Sequence, residues 1–408
     1  MKRRQLLKYS ALCGGAGLIA LGGHLPVVRP SLAIPPNKRL VVIFLRGGAD
    51  GLNIVVPHGT AEYYAARPSI SILPPGEPDG VLDLDGYFGL HPALSALLPQ
   101  WQKGNLAFVH NSGSPDSTRS HFDAQDYIEL GTPGTKATQD GWMNRLVGIL
   151  KPTLETQAVS VGVSTALTLS GPEPVTNTPL GPWGQQEMAV DRPNVYEAFD
   201  QLYGGETLLS QVYQTGRQAR ELLMAELNQE MVDSSRSAPL PHIFIRQARQ
   251  LAQLMQGDTR TQLAFLSLGG WDTHVNQGGS QGQFANRLQH LGDGLAQLVD
   301  SLGDLYRETT IVVMSEFGRT IAENGSGGTD HGRGNVMWVL GEAVRGGQVY
   351  GEWSGLSESD LHDERDLPVT TDYREVLTVL LANQWGLSTS QMKRVFPGYQ
   401  PRQSIPLL

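Results

Sequence analysis

Six short runs of continuously apolar or β-branched residues constrain this chain more than any other feature: 40–45, 106–110, 158–163, 263–268, 310–314 and 336–340. They do not alternate with polar residues. Strands buried on both faces have this composition, and such strands belong to sheets covered by helices on either side. Helical stretches separate them at 92–101, 120–129, 197–232, 241–256 and 371–385. The clearest is the stripe Phe284, Leu288, Leu291, Leu295, Leu298, Leu302 and Leu305, whose spacing alternates between four and three. That is an apolar face at helical period. It fits a coiled-coil seam, but a long helix packed on the sheet just before the strand at 310 accounts for it more simply. Alternating strands and helices predict an α/β fold, a three-layer α/β/α sandwich with a mostly parallel sheet. The stretch 165–240 carries few strand signals and reads as a cap or insertion.

The chain opens Met1-Lys2-Arg3-Arg4-Gln5-Leu6-Leu7-Lys8, then runs apolar and glycine-rich to about residue 28, and offers Ser31-Leu32-Ala33 as a small-residue cleavage site. This three-part layout is that of a signal peptide. The Arg3-Arg4 pair resembles a twin-arginine address, which is read by the export machinery and is not an anchor. The expected division is a signal at 1–33 and one domain at 34–408, exported folded to the periplasm or beyond. Cys13 is the only cysteine and falls inside the signal. The mature chain would therefore have neither disulfides nor thiolate ligands. Oxygen and imidazole remain as metal ligands, and they suit zinc, manganese, calcium or magnesium. Residues 1–33 hold five basic residues and no acid, so their removal takes the formal net charge from −9 to −14. An acidic surface argues against nucleic acid as partner, since that binding rests on neutralising phosphates. No other segment is long and apolar enough to span a membrane.

Polar, glycine-rich loops follow or precede these strands, and ligands in open α/β sheets bind at the carboxyl ends of the strands. Asp50 follows the first strand within Arg46-Gly47-Gly48-Ala49-Asp50. Asp272 and His274 follow the fourth, two residues apart, where extended backbone would point both the same way. Glu316 ends the fifth. Asp330 and His331 precede the sixth among Gly328, Gly332 and Gly334. Asp50, Asp272, His274, Glu316 and His331 are thus the candidate metal ligands, with Asp330 a ligand or an orienting partner. Arg46 and Arg319 are candidate oxyanion forks. Ser120 with Asp123 fits a helix-capping box, and a hydroxyl at a helix N-terminus is also placed to act as a nucleophile. Ser280 sits in a Gly-x-Ser-x-Gly pattern, but without the strand that a nucleophile elbow requires directly before it.

Several of these segments recur in one bacterial family: Arg46 to Asn53, Arg119-Ser120-His121-Phe122-Asp123-Ala124-Gln125, Gly270 to His274, Ser315-Glu316-Phe317-Gly318-Arg319-Thr320, Asp330-His331-Gly332 and Thr371-Asp372-Tyr373-Arg374. The chain resembles the domain-of-unknown-function family numbered 1501, exported by the twin-arginine route. That family in turn resembles the alkaline phosphatase and sulfatase superfamily. The resemblance implies one or two divalent metals at the strand ends and a hydroxyl nucleophile, here matched by Ser120. It implies an exported metal-dependent hydrolase of phosphate or sulfate esters, acting on a small-molecule or polysaccharide ester. Two departures stand out. Asp272 and His274 are two apart where the superfamily spaces such a pair by four, and Phe317 stands where a histidine is usual. They imply the alternative, a non-catalytic envelope binding or assembly protein with a degenerate site.

Overall fold

The first strand, β1 (Arg39–Leu45), is apolar from Leu40 onward, and every residue in it is buried. Its side chains alternate between two cores. Val41, Ile43 and Leu45 join one, and Leu40, Val42 and Phe44 join the other. A strand with apolar residues on both faces is stable only between two helical layers, and this is the α/β three-layer arrangement. The computed structural model describes residues 37–150, 157–178, 234–258, 260–400 and 405–408. The expected signal at 1–33, Cys13, the helical stretch at 197–232 and most of the cap or insertion at 165–240 lie outside these residues.

The remaining strands are β2 (Val55–Val56), β3 (Leu82–Asp83), β4 (Gly89–Leu90), β5 (Leu106–Gly113), β6 (Gln157–Val161), β7 (Thr176–Thr178), β8 (Thr261–Leu268), β9 (Thr309–Ser315), β10 (Asn335–Leu340), β11 (Gln348–Tyr350) and β12 (Thr371–Asp372). Among the described residues the main sheet has nine strands in the order β11-β5-β10-β9-β1-β8-β6-β7, with β12 also paired to β5. All its pairings are parallel except those of β10, which runs antiparallel to both β5 and β9. The described start of the expected insertion is partly β7, an edge strand parallel to β6. β2, β4 and β3 form a small antiparallel sheet of their own.

One face of the main sheet carries the helices Phe244–Gly257 and Gln283–Leu302. The apolar stripe of the latter, from Phe284 to Leu302, is fully buried there. It packs on the sheet and makes no coiled coil. The opposite face carries the helices Trp142–Leu150, Tyr373–Trp385 and Thr389–Val395. Residues 371–372, expected to begin a helix, instead form β12, and Asp372 caps the helix that follows.

The register sets up the functional edge. Leu45 pairs with both Leu268 and Ser315, so the loops after β1, β8 and β9 leave the sheet at one level. Because β10 is antiparallel, its amino end is at that same edge, where Asn335 pairs with Ser112 near the end of β5. The loops after β5 and before β10 therefore open beside the other three.

Candidate metal centre

Two glycines let these loops close on one another. A Cβ on Gly47, whose φ is +119°, would lie 2.6 Å from the backbone nitrogen of Asp272. One on Gly318 would lie 1.8 Å from the carbonyl of Gly334. No side chain can be added at either place without moving backbone. Gly318 N–H donates to Arg333 O and Gly332 N–H to Gly318 O, both at 2.8 Å. A bridge between Arg319 and His331 completes the ladder.

Onto this frame the helix His121–Leu130 adds the group that the sequence reading missed. Ser120 caps it, its hydroxyl accepting from Asp123 N–H. The next residue, His121, turns its ring inward, with its side chain only 3% exposed. His121, Asp272 and His331 each place one ligand atom within 4.8 Å of the others. His331 Nε2 lies 2.9 Å from His121 Nε2 and 3.2 Å from Asp272 Oδ1. His274 adds a third imidazole outside that set, its Nε2 2.9 Å from His331 Nε2 and 3.0 Å from Asp272 Oδ1.

The other ring nitrogens decide what these contacts mean. His121 Nδ1 faces Glu316 Oε1 at 2.8 Å, His274 Nδ1 faces Asp330 Oδ1 at 3.2 Å, and His331 Nδ1 faces the Arg119 carbonyl at 3.0 Å. Carbonyls and ionised carboxylates only accept, so each Nδ1 is assigned the proton. In a neutral ring each Nε2 then carries a lone pair. Three such lone pairs and the Asp272 carboxylate point at one another. Asp272 Oδ2 is buried, accepts no hydrogen bond and lies 3.4 Å from His121 Nε2. Such a group of donors is stable only with positive charge among them, whether protons or a cation. Imidazole and carboxylate, each imidazole held from behind by an oxygen acceptor, are a donor set that fits a divalent metal.

The proton equilibria agree. Burial pulls the His121 imidazole down, but Asp272 and Glu316 outweigh it and push it up to about 9. His274 is raised, chiefly by Asp272. His331 is lowered by burial, against the pull of Asp272 and with Arg319 and His121 adding to the effect. Burial opposes ionisation of Asp272, yet the three imidazoles and Arg319 hold it far below the usual carboxylate range. Glu316 is likewise buried, yet His121 and Gln125 bring it down to about 2.

The expected site residues separate into two groups. Asp272, His274 and His331 come together. Glu316 lies outside that cluster. Its Oε1 already accepts from Gly47 N–H, Gln125 Nε2 and His121 Nδ1, each at 2.8 Å, and Oε2 accepts from the Ser315 hydroxyl. It orients His121. Asp50 is also outside the set, because Arg67 and Gln277 both donate to its Oδ2 at 2.6 Å. Neither expected oxyanion fork is available. Arg46 donates to Gln125 and Glu129. Arg319 donates to Asp272 and to the carbonyls of Gly47, Gly48, Trp271 and Thr329. Phe317 is a wall of the site, its ring 4.7 Å from that of His121 and 5.0 Å from that of His331. Ser280 has no strand directly before it, since β8 ends at Leu268.

One signal could have exposed His121. His121, Gln125 and Glu129 recur every four residues along an otherwise apolar helix face, and all three are buried. A polar stripe at helical spacing inside a buried face marks side chains with partners.

A family model for a protein of unknown function (DUF1501) matches residues 107–396. No curated protein sequence matches the chain. Among solved structures, the chain is similar to a protein in the alkaline phosphatase superfamily from Vibrio parahaemolyticus, at 9% identity and a TM-score of 0.36. That alignment covers 78% of this chain but only 63% of the Vibrio chain. It is also similar to a lipoteichoic acid synthase from Listeria monocytogenes, at 9% identity and a TM-score of 0.37, over 86% of this chain and 73% of that one. The C-terminal periplasmic domain of a phosphoethanolamine transferase from Campylobacter jejuni aligns at 10% identity and a TM-score of 0.41, over 90% and 96% of the two chains.

Proposed function

The chain belongs to the DUF1501 family, and from the geometry of its site we propose that it is an exported metal-dependent hydrolase of phosphate or sulfate esters. The observation that carries this is the orientation of three imidazoles. Each Nδ1 is turned to an oxygen acceptor, and each Nε2 is turned to the Asp272 carboxylate or to another Nε2. Export is supported by the Arg3-Arg4 signal in the sequence. Among the described residues no helix is long and apolar enough to cross a membrane.

His121, Asp272 and His331 would hold one ion, with His274 beside it. Imidazoles favour zinc over magnesium or calcium, with manganese also accommodated. When bound, such an ion supplies a Lewis acid for an ester oxygen and lowers the pKa of a hydroxyl or water. The rest of the work falls to the chain. Arg319 fixes Asp272 and offsets its charge. Glu316 fixes the His121 ring, and Phe317 keeps water from one side of it. His274, the most exposed of the three rings, has its pKa raised by Asp272, and as the imidazolium, with a proton on each nitrogen, it can pass the Nε2 proton to a leaving oxygen and keep the one held against Asp330. Ser120, one residue before His121, is the proposed nucleophile.

Elemental analysis of the purified full chain, with assays on aryl phosphate and aryl sulfate esters, tests this reading. The expected result is about one divalent ion per chain, hydrolysis of one ester class, and loss of both in His331→Ala. Protein without metal and without hydrolysis overturns it. A second reading, a non-catalytic envelope binding protein, is favoured by one observation: Arg46 and Arg319, the expected oxyanion forks, are both fully engaged within the protein. Bound metal with neither ester hydrolysed would select it.

A further inference from the structure

Arg46 and Arg319 are engaged within the protein, so an arginine that meets an anionic substrate beside the metal centre has to be another one. Two arginines flank His331. Arg119 accepts from His331 Nδ1 through its carbonyl. Arg365 donates from Nη2 to the His331 carbonyl at 3.0 Å. Both guanidinium groups turn to one buried carboxylate. Asp366 Oδ2 accepts from Arg119 Nη2 at 2.7 Å, and Oδ1 lies 3.4 Å from Arg365 Nη1. Asp366 is itself 0% exposed, whereas the Arg119 and Arg365 side chains are 42% and 37% exposed. A bridge between Thr320 and Asp366 fixes this carboxylate beside the Arg319–His331 pairing.

We infer that Asp366 presents Arg119 and Arg365 as an anion-binding pair beside the metal centre, and that the pair takes a tetrahedral oxyanion, phosphate or sulfate. The two guanidinium groups share the one Asp366 carboxylate, and Arg365 is also drawn on by Asp330, so the charge left without a carboxylate of its own lies on the Arg119 side. Their planar forks match tetrahedral oxyanions better than a lysine does. The two sides of the pair differ. Arg365 also lines a cleft of about 330 Å³ together with the acidic Glu323, Asp330, Glu358 and Glu364. Those carboxylates repel an anion, so the oxyanion belongs on the Arg119 side and Arg119 carries the larger share. Asp366 acts through the arginines and is a positioning residue.

The inference rests on the metal-centre reading for the place of the reacting group, and the test separates the two. Zinc-loaded full chain is titrated calorimetrically with inorganic phosphate and, separately, with sulfate, and zinc content is measured in every variant. Arg119→Gln is expected to weaken binding of the preferred anion about tenfold or more, the loss of one charge-assisted contact. Arg365→Gln should weaken it less. Arg119→Lys, which keeps the charge without the fork, should recover part of the loss. Zinc stays at the wild-type level in all three. If the arginines only tie loops together, Arg119→Gln and Arg365→Gln will lower the melting temperature and leave anion affinity unchanged, and the inference fails while the metal centre stands. Wild-type protein that holds zinc but binds neither anion also overturns it. Protein without zinc overturns the reading beneath it.

Discussion

Asp50 and Asp272 are the instructive pair. Both follow neighbouring parallel strands, β1 and β8, and both are buried to about 1% or less. Each has one carboxylate oxygen without a hydrogen bond. They differ in what faces them. Asp50 meets a guanidinium from Arg67, itself fully buried, and the amide of Gln277. Both partners arrive as donors, and an arginine is always protonated. Asp272 meets one guanidinium as well, from Arg319, but also three imidazoles. Imidazoles can give a lone pair as readily as a proton. An internal cation therefore closes the first carboxylate, while the second is left able to share an outside one. Position at a strand end makes an acid a candidate, and its neighbours decide whether it is a ligand.

The largest expected effect breaks the closed side of this comparison. Arg67→Met leaves Asp50 buried without its charge partner, which costs about 3–5 kcal/mol. Urea unfolding should show that loss, and the metal content of the folded fraction should be unchanged. If metal is lost with Arg67 while the fold holds, the two carboxylates are one site and the contrast is wrong.

Glu316→Gln addresses the open side. It replaces the charged acceptor that holds His121 Nδ1 with a neutral amide, and such orienting partners are worth about 10–100-fold in metal affinity. Competition against a chelator of known affinity measures it. An ion that simply disappears, as in a ligand deletion, would restore Glu316 to the ligand set.

A weaker, directional effect concerns pH. In chelator-treated protein the folded pKa of His121 is raised from 6.5 to about 9. Its contribution to stability is complete below 6.5 and is lost as pH rises through about 9. Glu316 is depressed from 4.5 to about 2, so its contribution is complete above 4.5 and is lost as pH falls through about 2. The treated protein should thus be most stable between about 4.5 and 6.5. A bound metal needs neutral imidazoles, so metal affinity rises with pH. Melting curves with and without zinc should diverge from pH 6.5 towards 9. Curves that run parallel across that window would count against imidazole ligation.

The smallest effect on stability is that of Ser120→Ala. Loss of the cap costs about 1 kcal/mol. Turnover should fall to background if Ser120 is the nucleophile, and full turnover with only the stability loss would leave it a cap.

Much of the fold was legible because apolar runs do not depend on their partners. All six expected strands occur as strands, with ends that coincide or differ by one to three residues. β7, β11, β12 and the small sheet were not legible, since two or three residues carry no periodicity. The reversed direction of β10 was not legible either. Its run Val336, Met337, Trp338, Val339, Leu340 reads like the parallel strands, and only pairing with β5 and β9 reverses it. At the site, Asp272, His274 and His331 were readable from their glycine settings. His121 was hidden by Ser120, whose capping role explains the local sequence without it. Glu316 is a candidate ligand from its place at a strand end, and Arg46 and Arg319 are candidate oxyanion forks from their residue type. Their partners, Gln125, Glu129 and the carbonyls of Gly47 and Gly48, come from other segments and cannot be read from local sequence.

Zinc K-edge X-ray absorption on the zinc-loaded full chain tests the central claim most directly. The expected result is a shell of nitrogen and oxygen at about 2.0–2.2 Å. Outer-shell scattering should come from at least two imidazoles and should weaken in His121→Ala. A shell of oxygen alone, or a spectrum unchanged in His121→Ala, would contradict it.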